Sequence, residues 1–575
     1  MKPTNMKNAT FKTLFLALMV AITLLLTAAS FAATPGISAG ASGPVTFSLT
    51  AQDSYLNQPD GEAVYSWGYG CASGFSPTFL PAAIAAPPGG FPTMQVPGPT
   101  LIVTEGQVVT VTLLNGLPTA AGNTSILFPG FNVTTTCPAP TTPTPLAPQQ
   151  GLLTCEAAPG GTVTYTFTAS APGTHAYYSG TQGDLQIEMG LYGAVIVLPT
   201  GGGPSNCNTT PTNLYGKTDY GTQNHVAGFP ESDFRLAHAA YDHPKSCYDR
   251  EYLFQWAEMD TRIHRQALAQ VQARAGCTAG TMGCSLDVQT EPYHPAYFLI
   301  NGRSMPDLMD PNYAGEYPHQ PYNGNPHMHP GELTLIRTIG QGRWQHPFHE
   351  HANHVRILGR DGNLVLSPTN SATSLAGILM FNTDTTPGEA FDGIFYFSGR
   401  GLNWDAYGHH PGSSTGDTLA TLSCTPDANG YNTGTTTALN YYEWCQDHNK
   451  PMQVNPFGDV AAGGPATLPD PNVFTNGQWY GGNPYFGPDA SLRAAMPGCS
   501  PGTASNGTGT TAAPYPNCTT LNPANTQANP ANERGWAFMW HSHNEREITT
   551  NNVFPGGMFM MMLVDSREFV IDESN

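Results

Sequence analysis

The first part of the chain alternates short hydrophobic and polar positions in a pattern typical of β-strands. Runs with this alternation recur between residues 44 and 200, and Gly, Pro and Asn separate them. They lie at 46–49, 101–103, 108–114, 162–167 and 194–198. Many short strands at this spacing predict a β-sandwich or barrel. We therefore predict one β-sandwich over 44–200, closed by a Gly-rich linker at 201–205.

A second series of such runs predicts a second β-sandwich over residues 206–400, completed by 534–575. Its strands are expected at 251–256, 297–300, 333–338, 354–358, 377–381, 394–397, 536–540 and 559–564. Residues 260–275 instead place Ile263, Ala267, Leu268 and Val271 at helical spacing, which predicts a short helix. The methionines of the last strand, Met558, Met560, Met561 and Met562, are expected to pack in the core.

Residues 401–533 interrupt this pattern, because they are rich in Gly, Asn, Pro and Thr and have few β-branched runs. We predict that they form an irregular, disulfide-containing insertion in the second domain. The alternative is that they contain a third sandwich domain.

The amino terminus predicts export from the cytoplasm. Basic residues precede an apolar run at 14–26, and Ser30-Phe31-Ala32 provides a small-residue cleavage site. This is the pattern of a signal peptide over residues 1–32, so a secreted protein, periplasmic or extracellular, is expected. An uncleaved amino-terminal anchor is the alternative. No later stretch is apolar for long enough to span a membrane.

Charge and cysteine content agree with an exported protein. The net charge of −20 disfavours binding to nucleic acid or to an anionic membrane. Eleven cysteines in an exported chain predict disulfides. Neighbouring cysteines suggest five pairs, although spacing alone does not determine connectivity: Cys137–Cys155, Cys207–Cys247, Cys277–Cys284, Cys424–Cys445 and Cys499–Cys518. Cys71 is left over, either as a buried thiol or as an intermolecular link.

Two histidine clusters carry the candidate chemistry. The first contains His346, His349 and His351, and the second contains His541 and His543. In a strand, side chains at i and i+2 leave the same face, so each cluster presents a histidine pair. Two such strands side by side would place four imidazoles on one surface, and imidazole binds copper, zinc, iron and nickel. These five histidines are the predicted metal-site residues.

The sequence segments around these histidines resemble the copper motifs of the multicopper oxidases, which are laccase-like cupredoxin proteins. Pro97-Gly98-Pro99-Thr100 resembles the start of the family's first domain, and Gly173-Thr174 resembles the approach to its second copper motif. His346-Pro347-Phe348-His349-Glu350-His351 matches the third motif in full. His541-Ser542-His543, followed by Gly557-Met558, resembles the fourth. The resemblance implies an all-β chain with two cupredoxin-like Greek-key β-sandwich domains, and copper as the cofactor.

Several ligand positions of that family hold other residues in this chain. Leu127 and Pro129 stand where the first motif has histidines, and Tyr178 and Gly180 stand where the second has them. In the fourth motif, Ser542 replaces the cysteine of the blue (type 1) copper. Glu547 stands where the second histidine of that copper is expected, and His346 matches its first. A blue centre requires a thiolate, so none is expected here.

The resulting hypothesis is a copper-binding oxidoreductase with a reduced histidine site and no blue copper. No catalytic residue is assigned. The alternative is a non-catalytic extracellular copper-binding or scaffold protein that keeps the fold, since fold does not determine function. A zinc hydrolase is a third candidate without a supporting motif. The resemblance also implies a homotrimer, whereas the substrate and redox partner stay open.

Other acidic residues and histidines are further candidates for the site. Glu350, Asp361, Glu545 and Glu547 are close in sequence to the histidines and are candidate acceptors for their second ring N–H. A third histidine group, His319, His327 and His329, either lines the mouth of the site or lies on an exposed, proline-flanked loop.

Overall fold

The computed structural model describes residues 34–207 and 233–397, apart from 85, 88, 139–145 and 330–331. It also describes residues 425, 482–486, 496–499, 521–527, 534–565 and 571. The segment predicted as a signal peptide therefore lies outside the described residues.

The first domain consists of two five-stranded sheets, with strand orders β11-β12-β5-β1-β4 and β3-β2-β6-β10-β7, and a small β8-β9 hairpin. Its helices are 3-10 turns at Thr119–Ala121 and Thr200–Gly202 and the short α1 (Gly183–Gln186). Its strands are β1 (Gly36–Ser38), β2 (Val45–Asn57), β3 (Ala63–Cys71), β4 (Thr78–Leu80), β5 (Leu101–Thr104), β6 (Val108–Asn115), β7 (Thr134–Thr135), β8 (Gln149–Gln150), β9 (Cys155–Glu156), β10 (Thr162–Thr168), β11 (Gly173–Tyr178) and β12 (Tyr192–Leu198).

Strand β6 shows why the alternating sequence forms this sandwich. Val109, Val111 and Leu113 are fully buried between the sheets. The intervening Thr110 and Thr112 point away from the core, where their hydroxyls lie 3.4 and 3.2 Å from those of threonines in β10. One face of the strand is therefore apolar and the other carries cross-strand hydroxyl pairs.

The second domain repeats the two-sheet arrangement on a larger scale. One sheet has the order β14-β13-β16-β22-β18-β19, with β20 on β18, and the other has the order β15-β27-β26-β17-β21, with β23 on β26. Its strands are β13 (Arg250–Met259), β14 (Tyr297–Ile300), β15 (His327–Met328), β16 (Leu333–Gly340), β17 (His346–Glu350), β18 (Val355–Arg360), β19 (Asn363–Leu364), β20 (Leu379–Met380), β21 (Asn382–Thr385), β22 (Ala390–Tyr396), β23 (Gly482–Phe486), β24 (Met496–Cys499), β25 (Leu521–Gln527), β26 (Arg534–Ser542) and β27 (Phe559–Asp565). The fold is the predicted pair of β-sandwiches, built almost entirely from strands.

Three of these strands lie within the segment predicted as an irregular insertion. Strands β24 and β25 pair with each other, and β23 pairs with β26 of the second domain. The described part of 401–533 is thus not free of strands, since one of them extends the sheet that carries the histidines. The domain boundaries themselves stay a prediction.

The predicted helix is α2 (Thr261–Ala273), and a 3-10 turn lies at Asp307–Met309. The Asp260 side chain accepts a hydrogen bond from the backbone N–H of Arg262, which caps the amino end of α2. Ile263 and Ala267 of this helix pack in the core of the first domain. Because α2 lies between β13 and β14 of the second domain, it connects the two domains. No helix among the described residues is long and apolar enough to cross a membrane.

The contact between the domains is buried and partly ionic. Arg337 of β16 is fully buried, and its Nε lies 3.0 Å from Glu251 Oε2. Its Nη1 donates to Thr174 of the first domain at 3.1 Å, and Thr174 also donates to Asp392 at 2.6 Å. An apolar cluster contains residues of both domains, among them Ile196 of the first and Ile339 of the second. The two domains are therefore joined by a buried interface with ionic, polar and apolar contacts.

Three predicted disulfides are confirmed: Cys137–Cys155, Cys207–Cys247 and Cys277–Cys284. The other two predicted pairs lie outside the residues whose side chains are described. Cys71 is a buried free thiol, and burial raises its pKa to about 12, which makes the thiol unreactive at neutral pH.

Candidate metal centre

The two histidine clusters lie on neighbouring antiparallel strands. Strand β17 carries His346 and His349, and His351 follows its last residue, whereas β26 ends with His541 and Ser542. The register places His349 directly opposite His541. Beyond the ends of the ladder, the His351 N–H donates to Met539 O at 3.1 Å and the His543 N–H to Pro347 O at 2.8 Å. Strand pairing therefore brings together four of the five predicted histidines: His349, His351, His541 and His543.

Alternation along the two strands separates a histidine face from a core face. Phe348, Glu350, Trp540 and Ser542 point inward and are buried. Phe348 and Trp540 pack in the main core of the second domain. The histidines occupy the intervening positions and thus point to the opposite side of the sheet.

Three histidines converge on one point. Ring nitrogens of His349, His351 and His541 all lie within 4.8 Å of one another. The Nε2 atoms of His351 and His541 are 3.2 Å apart. The fourth histidine, His543, is exposed, and its ring centroid lies 4.8 Å from that of His349. It therefore lies at the solvent edge of the group.

The protonation state of His541 is set by its backbone contact. Its Nδ1 lies 2.7 Å from the carbonyl oxygen of Ser542. A carbonyl only accepts hydrogen bonds, so Nδ1 carries the proton and Nε2 presents a lone pair in the neutral ring. Burial also lowers the pKa of His541. The nitrogen that faces His351 is thus in the form that binds a metal.

His349 is the most buried member of the group and also favours the neutral form. Burial, followed by the charges of the other three histidines, lowers its pKa to about 4. Its Nδ1 is buried and has no hydrogen-bond partner among the described residues. An unpaired buried nitrogen is costly unless a ligand satisfies it. Three converging imidazoles, one of which has such a nitrogen, suit a single copper ion.

An aromatic side chain borders the group. Phe381 is 53% exposed, and its ring centroid is 5.8 Å from that of His349 and 5.1 Å from that of His354. His354 therefore lies behind this ring and outside the converging set.

His346 lies in a different environment, at the position where a blue copper would be bound. It is fully buried, its Nδ1 is 2.8 Å from Glu547 Oε2 and its Nε2 is 2.8 Å from Glu258 Oε2. Ser542 Oγ donates to the same oxygen of Glu547. The residues at three blue-copper positions (His346, Ser542 and Glu547) are thus together, but they form a closed hydrogen-bonded cluster. Both nitrogens of His346 are engaged, on opposite sides of the ring.

The proton of His346 is stabilised by these two carboxylates. Burial by itself lowers the pKa of His346, but hydrogen bonds and charge attraction from Glu258 and Glu547 outweigh burial and raise it to about 9. The ring is therefore cationic at neutral pH. A cationic imidazole has no lone pair for a metal.

The cluster continues towards the first domain through residues that sequence analysis did not identify. The Tyr293 hydroxyl lies 2.6 Å from Glu188 Oε2 and 3.2 Å from Glu258 Oε1. His264 Nε2 of α2 is 3.5 Å from Glu188 Oε1. Glu258 lies 88 residues before His346, in a hydrophobic strand, and no local motif marks it.

The positions that lost histidines in the first domain pack against each other. Leu127 and Tyr178 form a β-bridge. A Cβ at Gly180 would lie 2.8 Å from Leu127 Cγ, so a larger residue at 180 requires Leu127 to move. Pro129 follows in the same loop. Apolar packing has replaced the ligand set on this side.

The remaining candidates have structural contacts. His327 and His329 are buried, and β15 pairs with β27, so these residues are not on an exposed loop. His319 bridges Ser54 and the Met94 carbonyl at 2.8 and 2.9 Å. Glu350 faces the core and accepts from Thr383 at 3.1 Å, and burial raises its pKa. Asp361 accepts from the Ala390 N–H, and Glu545 is exposed.

Part of the chain is similar in sequence to known proteins of one family. A family model described as multicopper oxidase matches residues 93–201. Laccase-3 of Botryotinia fuckeliana is 34% identical over 115 residues, which are 20% of this chain and 21% of that protein. The chain thus matches about a fifth of the length of this curated relative.

Two solved structures are among those to which the chain has detectable similarity. A blue copper oxidase from Nitrosomonas europaea is 14% identical, with 90% of this chain and 85% of that chain covered and a TM-score of 0.39. A copper nitrite reductase from the same organism is 19% identical, with 62% and 85% covered and a TM-score of 0.33.

The match to the family model contains the first two motif regions, where Leu127, Pro129, Tyr178 and Gly180 stand at ligand positions. The similarity to the multicopper oxidases therefore covers residues 93–201 of this chain.

Proposed function

We propose that the protein is a copper-binding oxidoreductase with one reduced histidine site and no blue copper centre. The observation that supports it is the convergence of His349, His351 and His541, whose ring nitrogens lie within 4.8 Å of one another. His543 lies at the open side of this group and completes the site towards solvent.

The residues of the site have distinct roles in this proposal. Copper bound by imidazoles supplies one-electron redox chemistry and an open position for a small ligand. His541 is oriented by the Ser542 carbonyl and presents Nε2, while buried His349 contributes the innermost nitrogen. The Phe381 ring limits access of water on one side. The identity of the substrate, a small molecule or a metal ion, is not part of the proposal.

A second candidate is a non-catalytic copper-binding or scaffold protein. The closed cluster of His346, Glu258 and Glu547 favours it, because a residue that is hydrogen-bonded on both ring nitrogens cannot form an electron-relay copper in that arrangement. Binding of copper at the three histidines is common to both candidates, and only turnover separates them.

Export and assembly are part of the same proposal. The three disulfides fit an oxidising compartment, in agreement with the predicted signal peptide. We also propose a homotrimer, without nucleic-acid or membrane partners. Sedimentation analysis of the mature protein tests the subunit number.

The proposed site is tested by metal loading. Purified protein is incubated with Cu(II), freed of excess metal and analysed by elemental analysis and electron paramagnetic resonance. About one tightly bound copper per chain is expected for a three-imidazole set. The double variant His349→Ala, His351→Ala should lose it. His354→Ala is the matched control, since this neighbouring histidine lies outside the converging set.

Two results decide between the alternatives. Unchanged copper content in the double variant, with circular dichroism like that of the parent, would refute the site. Oxygen consumption with reducing substrates, lost in the double variant and kept in His354→Ala, supports the oxidoreductase. Full copper loading without oxygen consumption supports the scaffold protein.

A further inference from the structure

Two methionines extend the histidine face of the sheet. In β26, Phe538, Trp540 and Ser542 point to the core, so Met539 points to the same side as His541. In β27, Met560 and Met562 belong to the core cluster, as does Met558 just before the strand, whereas Met561 lies on the opposite face and is half-buried. The methionine run predicted to be core thus divides between the two faces.

The strand register places these methionines in a row with one histidine. Met539 is paired directly with Met561. On the other side of β26, the His351 N–H donates to the Met539 carbonyl at 3.1 Å. His351, Met539 and Met561 therefore occupy adjacent positions on three neighbouring strands. Directly paired side chains have Cβ atoms about 5 Å apart, a spacing that long thioether side chains can close around an ion.

The next row on the same face differs in its chemistry. It contains His349, His541 and Phe559, with a ring-centroid distance of 6.3 Å between His541 and Phe559. This second row offers imidazoles and an aromatic wall but no sulfur. One row of this face thus offers only nitrogen donors, whereas the other offers two thioether sulfurs beside one imidazole.

We propose that His351, Met539 and Met561 form a second site, which takes a soft monovalent ion, Cu(I) or its analogue Ag(I). Thioether ligands select Cu(I), whereas imidazoles accept either oxidation state of copper. Half-burial of both methionines keeps them near solvent, as an entry site requires. The inference goes beyond the proposed function and is independent of turnover, although both sites share His351.

The test is an anaerobic Cu(I) titration in competition with a chromophoric chelator, repeated with Ag(I). The variant Met539→Leu, Met561→Leu keeps side-chain volume and should bind Cu(I) at least about tenfold more weakly. Its Cu(II) loading should match the parent, because the three histidines are unchanged. Met560→Leu, Met562→Leu is the matched control, since these residues lie on the core face of the same strand.

X-ray absorption of the Cu(I) protein provides a direct readout, with sulfur expected in the ligand shell of the parent and absent in Met539→Leu, Met561→Leu. Equal Cu(I) affinity in that variant and the parent would overturn the proposal. Equal loss of Cu(I) and Cu(II) would overturn it as well, because the methionines would then only support the histidine site. Loss of Cu(II) in the histidine variants bears on the proposed function alone.

Discussion

Replacing His346 by glutamine should remove a pH-dependent part of the stability of the second domain. The imidazole lies between Glu258 and Glu547, at 2.8 Å from each, in a fully buried position. Glutamine can still hydrogen-bond there, but it carries no positive charge. The change therefore isolates the contribution of the proton from the contribution of packing.

The expected magnitude follows from the pKa of His346, which rises from 6.5 to about 9 on folding because the two carboxylates outweigh burial. Each pKa unit corresponds to about 1.4 kcal/mol, so the proton stabilises the folded state by about 3 kcal/mol. Because the folded-state pKa is the higher one, this stabilisation is complete below pH 6.5 and is lost as the pH rises through about 9.

The assay is guanidinium unfolding at a series of pH values, followed by tryptophan fluorescence. Trp256 is a suitable reporter, since its ring centroid lies 6.4 Å from that of His346. His346→Gln should be less stable than the parent by about 3 kcal/mol at acidic pH, and the difference should vanish near pH 10. His319→Gln is the control, because this histidine contacts only uncharged groups. A difference that is constant across the pH range would refute the assignment of a buried cationic imidazole.

Three further predictions concern Ser542 and the buried ion pairs of Arg337. Copper-loaded protein should show no intense blue absorption band, because Ser542 supplies no thiolate, and visible spectroscopy checks this. Arg337→Met should destabilise the protein by about 3–5 kcal/mol in denaturant unfolding, because it leaves Glu251 and Asp392 buried without their cation. Ser542→Cys should also show no blue band after copper loading, and a strong band in that variant would contradict the arrangement around His346.

The sequence predicted much of the architecture, because alternation is a local property of each strand. The two sandwiches and helix α2 follow from such local patterns. The three confirmed disulfides join consecutive cysteines of the sequence, 7 to 40 residues apart. The strands in the described part of 401–533 were missed, because β24 and β25 contain proline, glycine and asparagine, which are unfavourable in strands.

The residue types of the candidate site were predictable from the sequence, but the different environments of His346 and of the converging histidines were not. Spacing of i and i+2 grouped the other four histidines on one face and placed His346 on the opposite face, yet it could not show that His346 is held between two carboxylates. That arrangement depends on Glu258, which comes from a strand of the other sheet. Similarly, only the pairing of β27 with β26 shows that Met561 lies opposite Met539. Contacts between distant strands carry this information, and a single sequence does not display it.

The failure expected for Ser542→Cys shows how completely the blue-copper position has changed. A thiol at 542 would replace a hydroxyl that donates to Glu547, and the nearby carboxylates would disfavour the thiolate that copper requires. His346 would have to give up both of its carboxylate contacts and its proton before it could bind a metal. Met558 is buried in the core, and its backbone is hydrogen-bonded to the backbones of Glu547 and Ser542. Each of these residues therefore stabilises the others, so the closed arrangement is a property of the whole cluster, whereas the three converging histidines lie on the other face of the sheet.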